Sequence, residues 1–263
     1  MRSSADRVTL EVDGGVARLR LARPDAHNAI DPAMVAGLGA AVAAVEEHPG
    51  VRCLLLSAAG RSFSAGGDLR HLAGIELIPE ELEAMVGAYH VTLSRLAELP
   101  VPVVCAVQGG AAGGALGLLW CADVVIAAAD LRLASGFAKL GLSGDGGSTW
   151  HLPRLVGMRR ALELTLEGRV LSAEEALAWG LVGRVVPVEA LEAEAEATAR
   201  RYAAGPTVAY GHIRRLLRTS WSATFEEQLA AERAAIVDCG GTADAREGIE
   251  AFAARRAARF EGR

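Results

Sequence analysis

The stretch Val101-Pro-Val-Val-Cys-Ala-Val-Gln-Gly-Gly-Ala-Ala-Gly-Gly-Ala-Leu-Gly117 decides the fold of this chain. Its first seven residues form an apolar run that predicts a buried strand, and clustered glycines then lead into a helix of small residues. The first amides of such a helix have no partner within it, and glycine lets a ligand approach them closely. The sequence therefore predicts a binding site made by the main chain at this strand-to-helix turn.

A second glycine-rich stretch, Leu140-Gly-Leu-Ser-Gly-Asp-Gly-Gly-Ser-Thr-Trp150, carries one acid, Asp145. A carboxylate beside main-chain donors can move a proton while the donors stabilise negative charge. Asp145 also precedes a predicted helix over 146–156, so its side chain has an alternative role as the N-cap of that helix.

Composition limits the functional class. The 263 residues fit one large domain, and 51% hydrophobic with 22% charged residues is typical of a globular protein. A net charge of −5 speaks against extended nucleic-acid binding, and the basic segment Arg255-Arg-Ala-Ala-Arg259 is predicted to be a solvated helix face. No run reaches 18 apolar residues and the N-terminus lacks a signal-peptide pattern, so we expect a cytoplasmic protein that does not bind membranes.

The cysteines are isolated in the sequence, and they form no CxxC or Cys/His ligand spacing. We therefore expect no disulfide and no metal site, and we interpret the thiols as structural. The four residues are Cys53, Cys105, Cys121 and Cys239.

The order of the predicted elements indicates an α/β protein. Predicted strands cover 8–12 and 17–21 (a hairpin around Asp13-Gly-Gly15), 51–57, 101–107, 123–128, 131–133 and 181–186. Predicted helices cover 32–48, a short segment after Asp68, 79–99, the segment up to Cys121, 146–156, 158–167, a capped segment after Ser172, and most of 189–263. We therefore predict a core over 1–188 that carries the site and a helical oligomerisation region over 189–263.

Several motifs resemble the crotonase family, which is the enoyl-CoA hydratase/isomerase superfamily. They occur in family order and spacing over nearly the whole chain, which makes the combination specific although each glycine cluster alone is weak. The motifs are Ser62-Phe-Ser-Ala-Gly-Gly-Asp-Leu69, Gln108-Gly-Gly-Ala-Ala-Gly-Gly-Ala-Leu-Gly117, Cys121-Ala-Asp123, Gly144-Asp-Gly-Gly-Ser-Thr-Trp150 and Pro153-Arg-Leu-Val-Gly157.

The resemblance implies a spiral of ββα units with a C-terminal helical region, assembled as trimers or hexamers. It also implies an acyl-CoA thioester as substrate, with no other cofactor, and an oxyanion hole formed by the amides of Gly67 and Gly114. Such donors stabilise the enolate oxygen selectively, because its charge develops only during the reaction. Implied CoA or acyl contacts are Ala26, His27, Ala29, Ser64, Ala65, Gly66, Asp68, Leu69, Gly113, Phe137 and Leu142. The cations that could face CoA are Arg23, Arg61, Arg70 and His71.

The chain departs from the family hydratases at both catalytic acids. Where those enzymes carry two glutamates that hold and split water, this chain has Gly117 and Phe137. Asp145 instead matches the aspartate of an isomerase subset that includes the ring-1,2-epoxyphenylacetyl-CoA isomerases. A single carboxylate facing an enolate can carry a proton between carbons, so the resemblance favours an enoyl-CoA isomerase that uses Asp145.

Four alternatives stay open at this point. The chain could be a hydratase with unrecognised acids, or an aryl-CoA dehalogenase or thioester hydrolase in which Asp145 is the nucleophile and His90 activates water. The missing glutamates also fit a non-catalytic scaffold of the same fold. Finally, Gly109 to Gly114 followed by Asp130 weakly imitates a dinucleotide-binding unit, but the middle glycine of that fingerprint is absent.

Overall fold

The strands and helices alternate along the chain as expected for an α/β protein; the computed structural model describes residues 7–263. The strands are β1 (Val8–Asp13), β2 (Val16–Leu21), β3 (Cys53–Ala58), β4 (Val103–Val107), β5 (Gly110–Ala112), β6 (Val124–Ala128), β7 (Arg132–Ala134), β8 (Val170–Ser172) and β9 (Arg184–Val186). The helices are α1 (Pro32–Glu47), α2 (Leu69–Ala73), α3 (Ile78–Glu98), α4 (Leu116–Cys121), α5 (Ser148–Val156), α6 (Met158–Leu166), α7 (Ala173–Ala178), α8 (Leu191–Ala203), α9 (Thr207–Thr219), α10 (Phe225–Gly240) and α11 (Ala243–Ala253).

The main sheet has six strands in the order β1-β2-β3-β4-β6-β9. β1 and β2 form the predicted antiparallel hairpin, closed by Gly14 and Gly15 with φ values of 57° and 77°. Only a turn of this left-handed kind matches the twist of the two strands, and glycine adopts it without strain. All other neighbours in the sheet are parallel, and β4 at its centre is buried along its whole length.

Helices cover both faces of the main sheet. α1 packs on β1 and β2 over one face, and α3 packs against α1 and α4 around the larger apolar core. α8 packs on β3, β4 and β6 on the other face and closes a second, smaller core. The predicted boundary after residue 188 thus falls just before a helix that covers the sheet, and α9, α10 and α11 follow as a series in which each helix contacts the next.

A small second sheet, in the order β5-β7-β8, lies beyond the carboxyl end of β4. β7 pairs in parallel with β5 and antiparallel with β8. The sequence did not predict β5 or β8, because each has only three residues and no alternating pattern. β5 is important for the site because it positions the glycine-rich turn that follows it.

Two sequence expectations about helices need correction. α5 begins at Ser148 rather than at Gly146, since Gly146 and Gly147 both have positive φ. The basic segment from Arg255 to Arg259 is not a helix face, because α11 ends at Ala253 and Arg255 adopts a φ of 53°. None of the helices between residues 7 and 263 is long and apolar enough to span a membrane.

Candidate active site

The loops that follow β3 and β4 meet at the carboxyl ends of these strands, where open α/β sheets bind their ligands. The Ser64 amide donates to Gly110 O at 3.1 Å, and the Ala112 amide donates to Ser64 O at 3.0 Å. This pairing brings Gly66 against the second loop: a Cβ on Gly66 would lie 2.7 Å from Ala112 O and 3.3 Å from Gly113 Cα. The residues next to this contact, Gly67 and Gly114, are the two predicted oxyanion donors.

Both predicted donors have amides that are available for a ligand. Within residues 7–263 the Gly67 amide has no acceptor, although its neighbours on both sides pair with Ile30. Gly114 is the second residue of a 3₁₀ turn over Gly113–Ala115, where an amide has no acceptor within the turn. Two such dipoles on touching loops can stabilise one oxygen that gains negative charge.

Buried polar side chains hold the first loop in shape. The Ser64 hydroxyl donates to Asn28 O at 2.7 Å and accepts from the Gly66 amide at 3.2 Å. The amide group of Asn28, which is fully buried, donates to Ala59 O and Ser62 O. Ser64 was predicted to touch the ligand, and the structure has it buried within the loop. Asn28 was missed, since only its long-range contacts reveal its role.

An ion-pair network fixes the start of α2 beside Gly67. Asp68 caps α2 by accepting from the Arg70 and His71 amides, and its other oxygen accepts from Arg23 Nη1 at 2.6 Å. Burial alone would raise the pKa of Asp68, but these hydrogen bonds and the charge of Arg23 lower it. Arg23 also pairs with Asp31 at 3.3 Å.

These contacts change the set of cations that could face CoA. Arg23 is engaged in the network, and His71 Nε2 lies 2.6 Å from Glu81 Oε1. Arg61 and Arg70 are exposed, and neither forms an ion pair in the part of the chain that the structure describes. Of the four cations, these two are the better placed to meet phosphate groups.

Asp145 lies directly against Gly114. A Cβ on Gly114 would be 2.6 Å from Asp145 Oδ1, and this oxygen is buried without a hydrogen-bond partner among residues 7–263. Burial raises the pKa of the Asp145 carboxyl. The alternative interpretation, that the side chain caps a helix, is wrong. The N-cap of α5 is Gly147, and no side chain makes the capping bond.

Helix α3 contacts the backbone on both sides of Asp145. The Tyr89 hydroxyl donates to Gly114 O at 2.9 Å, and His90 Nε2 accepts from the Gly146 amide at 3.1 Å. Tyr89 was not predicted as a site residue, because a tyrosine on an apolar helix face gives no signal beyond core packing. The sequence pattern of α3 places both residues near the site but cannot identify their partners.

Gly117 and Phe137, which stand where the family hydratases carry glutamates, differ in their surroundings. A Cβ on Gly117 would lie 2.6 Å from Gly146 O and 2.7 Å from Leu93 Cδ1, so no side chain fits there without movement of the backbone. The ring of Phe137 is buried, and its Cζ would lie 3.9 Å from a Cβ on Gly113. An apolar ring therefore stands beside the oxyanion turn.

The remaining predicted contact residues surround this centre unevenly. Ala29 is buried, Ala26 is half-buried, and His27, Ala65, Leu69 and Leu142 are exposed. Whether they contact CoA stays a prediction.

The sequence profile of the enoyl-CoA hydratase/isomerase family matches residues 11–263. The chain belongs to this family, the crotonases. It is 41% identical over 254 residues to a 1,2-epoxyphenylacetyl-CoA isomerase of Escherichia coli K12, covering 96% of this chain and 97% of that protein. A 4-chlorobenzoyl coenzyme A dehalogenase-2 of an Arthrobacter species is 31% identical, with 86% and 83% covered.

The fold comparison agrees with the family. The crystal structure of enoyl-CoA hydratase from Bacillus anthracis superposes with a TM-score of 0.92 at 30% identity, covering 98% of this chain and all of that one. The predicted crotonase-type α/β fold with its helical C-terminal region is thus confirmed. This crotonase is an acyl-CoA-binding enzyme. The dinucleotide-binding interpretation of Gly109 to Asp130 is wrong, because a family with another ligand matches nearly the whole chain.

Among the described residues, neither a metal-binding cluster nor the three buried thiols adds reactive chemistry. In residues 7–263 no three His, Cys, Asp or Glu side chains are grouped so that they could hold a metal ion. Burial raises the pKa of Cys53 to about 12 and of Cys121 to about 11, and that of Cys105 further, so these thiols are inert at neutral pH. Cys239 is partly exposed and lies in α10.

Proposed function

We propose that this crotonase is an enoyl-CoA isomerase in which Asp145 moves a proton on an enolate held by the Gly67 and Gly114 amides. The observation that carries the proposal is the unpartnered Oδ1 of Asp145 against Gly114. A carboxylate in such a half-buried site has a raised pKa and is suited to acid–base catalysis near neutral pH.

The chemistry needs no group beyond the thioester and one carboxylate. Asp145 removes a proton from the α carbon of a 3-enoyl-CoA, and the electron pair of that C–H bond delocalises onto the thioester oxygen, where the two amides stabilise it. When the double bond re-forms between the α and β carbons, Asp145 returns the proton to the γ carbon. The product is the conjugated 2-enoyl-CoA, and a related ring isomerisation uses the same enolate chemistry.

Hydration is disfavoured by the packing at Gly117. Syn addition of water needs two acids that orient and deprotonate it, and this chain has Gly117 and Phe137 at the family positions. The contact of Gly117 with Gly146 O and Leu93 leaves no space for an acid side chain at the first of them. An apolar ring occupies the second.

Dehalogenation is the second candidate, and one observation bears on it. His90 lies beside Asp145, as that mechanism needs, and a dehalogenase is among the relatives. However, Nε2 of His90 accepts a hydrogen bond from the Gly146 amide. That nitrogen would have to give up this bond before it could take a proton from water.

Direct assays test the proposal. Crotonyl-CoA and 3-enoyl-CoA esters of several chain lengths are supplied, and the absorbance of the conjugated thioester is followed. We expect 3-enoyl-CoA to gain conjugation while crotonyl-CoA is hydrated slowly, and Asp145→Asn to lose about 10²–10⁴ in rate without a fall in melting temperature. Fast hydration of crotonyl-CoA that persists in Asp145→Asn would contradict the isomerase and indicate a hydratase with other acids.

A further inference from the structure

Two consecutive residues of α3 form hydrogen bonds with the two backbone segments next to Asp145, one at Gly114 and one at Gly146. The Tyr89 hydroxyl donates to Gly114 O at 2.9 Å, and His90 Nε2 accepts from the Gly146 amide at 3.1 Å. The two segments also touch each other, since a Cβ on Gly146 would lie 2.7 Å from Gly114 O. One helix thereby contacts both walls of the site.

We propose that Tyr89 and His90 are positioning residues, which hold Asp145 and the Gly114 turn in the geometry that proton transfer requires. The proposal rests on the proposed function and adds two residues and their roles to it. It assigns His90 no direct part in the chemistry. Neither residue needs to touch the substrate, because each acts through a backbone group next to a reacting one.

Tyr89 is suited to be a permanent donor. Its side chain is only 3% exposed, so water does not compete for the hydroxyl. Burial raises the pKa of Tyr89 well above its ordinary value, and the nearby Asp145 carboxylate adds to this, so the phenol stays protonated. Its bond holds the carbonyl of Gly114, the residue whose own amide is the predicted oxyanion donor. In a short turn the orientation of one peptide unit constrains that of the preceding one.

His90 acts on the other side of the acid. The Gly146 amide belongs to the peptide unit that joins Asp145 to Gly146, so holding it fixes the backbone from which the carboxylate extends. Gly146 itself has a φ of 58°, a conformation that other residues rarely adopt. Only a ring whose Nε2 carries a lone pair can accept this bond, which places the proton of the neutral ring on Nδ1.

Small errors in this arrangement are costly for catalysis. Misplacing a reacting group by roughly 1 Å can lower a rate about 10²-fold even when the change is remote from the chemistry. Loss of either α3 contact should therefore reduce kcat while leaving KM for the acyl-CoA ester nearly unchanged, since most of the predicted CoA contacts lie on the loops around His27 and Ser64. A merely structural role would lower the melting temperature without this separation.

Four variants test the proposal. Tyr89→Phe and His90→Leu each remove one contact, and His90→Gln offers a side-chain oxygen that can accept from the Gly146 amide. Val91→Ala is the matched control, because Val91 lies next on α3 and is 62% exposed. For each, kcat and KM with a 3-enoyl-CoA are measured, together with the exchange of its α protons in D₂O.

We expect Tyr89→Phe and His90→Leu to lower kcat and α-proton exchange about 10- to 100-fold with little change in KM. His90→Gln should recover most of what His90→Leu loses, and Val91→Ala should match the wild type. If His90→Gln is as inactive as His90→Leu, the imidazole itself takes part in the chemistry and the positioning role is wrong. An unchanged kcat in Tyr89→Phe would overturn the role of Tyr89.

Amide exchange separates this proposal from the proposed function. Hydrogen–deuterium exchange of the peptide that contains Gly146 should speed up in His90→Leu and stay slow in His90→Gln, whatever the enzyme catalyses. Equal exchange in the wild type and His90→Leu would overturn the contact on which the proposal depends. A wild-type enzyme that isomerises no 3-enoyl-CoA would instead overturn the proposed function, and the exchange data would still decide the role of His90 as a backbone anchor.

Discussion

Asp145 is half-buried, and its Oδ1 has no hydrogen-bond partner in the described chain, so we expect its ionisation to affect the stability of the fold. Burial raises the pKa of the folded-state carboxyl, so ionisation of Asp145 costs stability above that pKa. The cost is absent below the unfolded pKa of about 3.9, where the carboxyl is protonated in both states. The stability contributed by Asp145 thus falls as the pH rises, whereas that of a salt-bridged aspartate increases with pH.

We therefore predict that Asp145→Asn has a higher melting temperature than the wild type at pH 7 to 8, since the amide carries no charge to desolvate. The difference should shrink as the pH falls through the raised pKa and vanish below about pH 3.9. Calorimetric scans of both proteins across this range measure it. A variant that is less stable than the wild type at neutral pH would indicate that Asp145 forms a stabilising contact.

Gly67 allows the oxyanion donor to be tested without disturbing the fold. Its φ is not in the left-handed region, and a Cβ there would meet no atom within 4 Å. Gly67→Ala keeps the N–H, whereas Gly67→Pro removes it. We predict that Gly67→Ala folds and turns over substrate, while Gly67→Pro loses at least about 10²–10³ in kcat. Circular dichroism and kcat measured together check this, and an active Gly67→Pro would place the donor elsewhere.

At the scale of elements, α4 packs closely against the loop that carries Asp145. A Cβ on Gly117 of α4 would lie nearer to Gly146 O and to Leu93 Cδ1 than van der Waals contact allows. We predict that Gly117→Ala destabilises the protein by about 1–3 kcal/mol, because the added methyl group overpacks this contact with Gly146 and Leu93. Gly87→Ala in α3 is the control, since a Cβ there meets nothing within 4 Å. That change should be neutral or stabilise by about 1 kcal/mol through helix propensity.

Urea unfolding of the two variants measures the difference. A Gly117→Ala variant as stable as the wild type would show that the α4 contact yields easily and that the packing leaves room for an acid side chain at this position. Gly117→Glu can then be assayed for hydration of crotonyl-CoA directly. We expect no gain of hydratase activity.

Most elements could be predicted because their sequences carry strong local signals. Asp31 followed by Pro32 indicated the start of α1, and the Ser172 and Glu175 capping box indicated α7; both are confirmed. β5 and β8 were missed because three-residue strands are formed by their partners rather than by their own sequence pattern. Local propensity cannot report such pairings.

For the candidate site too, the features carried by local motifs could be predicted, and those that depend on distant partners could not. The family resemblance implied that the Gly67 and Gly114 amides are the oxyanion donors, and in the structure the residues that precede them, Gly66 and Gly113, lie in contact. That the two amides bind one oxygen stays a prediction. The roles of Asn28 and Tyr89 depend on partners 25 or more residues away in the chain, so a single sequence could not reveal them. The same holds for the ion pairs of Arg23 with Asp31 and Asp68, which the sequence did not indicate.

At the scale of the whole molecule, ion pairs between α9 and Asp123 connect the C-terminal helices to the core. Arg214 and Arg218 of α9 both pair with Asp123, which precedes β6, and Arg218 also donates to Cys121 O at the end of α4. Asp123 in turn accepts from the Val103 amide at 2.8 Å. The C-terminal helices over 189–263, here called the tail, are therefore anchored at the amino ends of β4 and β6. The candidate active site lies at the carboxyl ends of the strands.

Large apolar side chains remain exposed on the tail and on α6. Met158, Leu162 and Leu166 recur at every fourth residue of α6 and are all exposed, which makes a continuous stripe. On the tail the exposed apolar residues are Ile213, Leu217, Trp221, Phe225, Leu229, Ile236, Val237, Ile249 and Phe252. Contiguous patches of this kind usually mark protein–protein interfaces.

We predict that the protein assembles as a trimer or hexamer through these surfaces, with a mass in light scattering of three or six times 27.3 kDa. Ile249 and Phe252 on α11 are 72% and 87% exposed, so Ile249→Glu with Phe252→Glu should leave the subunit folded but place charges in the interface. We expect this double variant to dissociate at concentrations where the wild type stays assembled. Leu77→Glu, at an exposed position outside the tail, is the control and should assemble normally. A wild-type monomer at micromolar concentration would contradict the prediction, because the exposed apolar side chains of the tail would then have no partner to cover them.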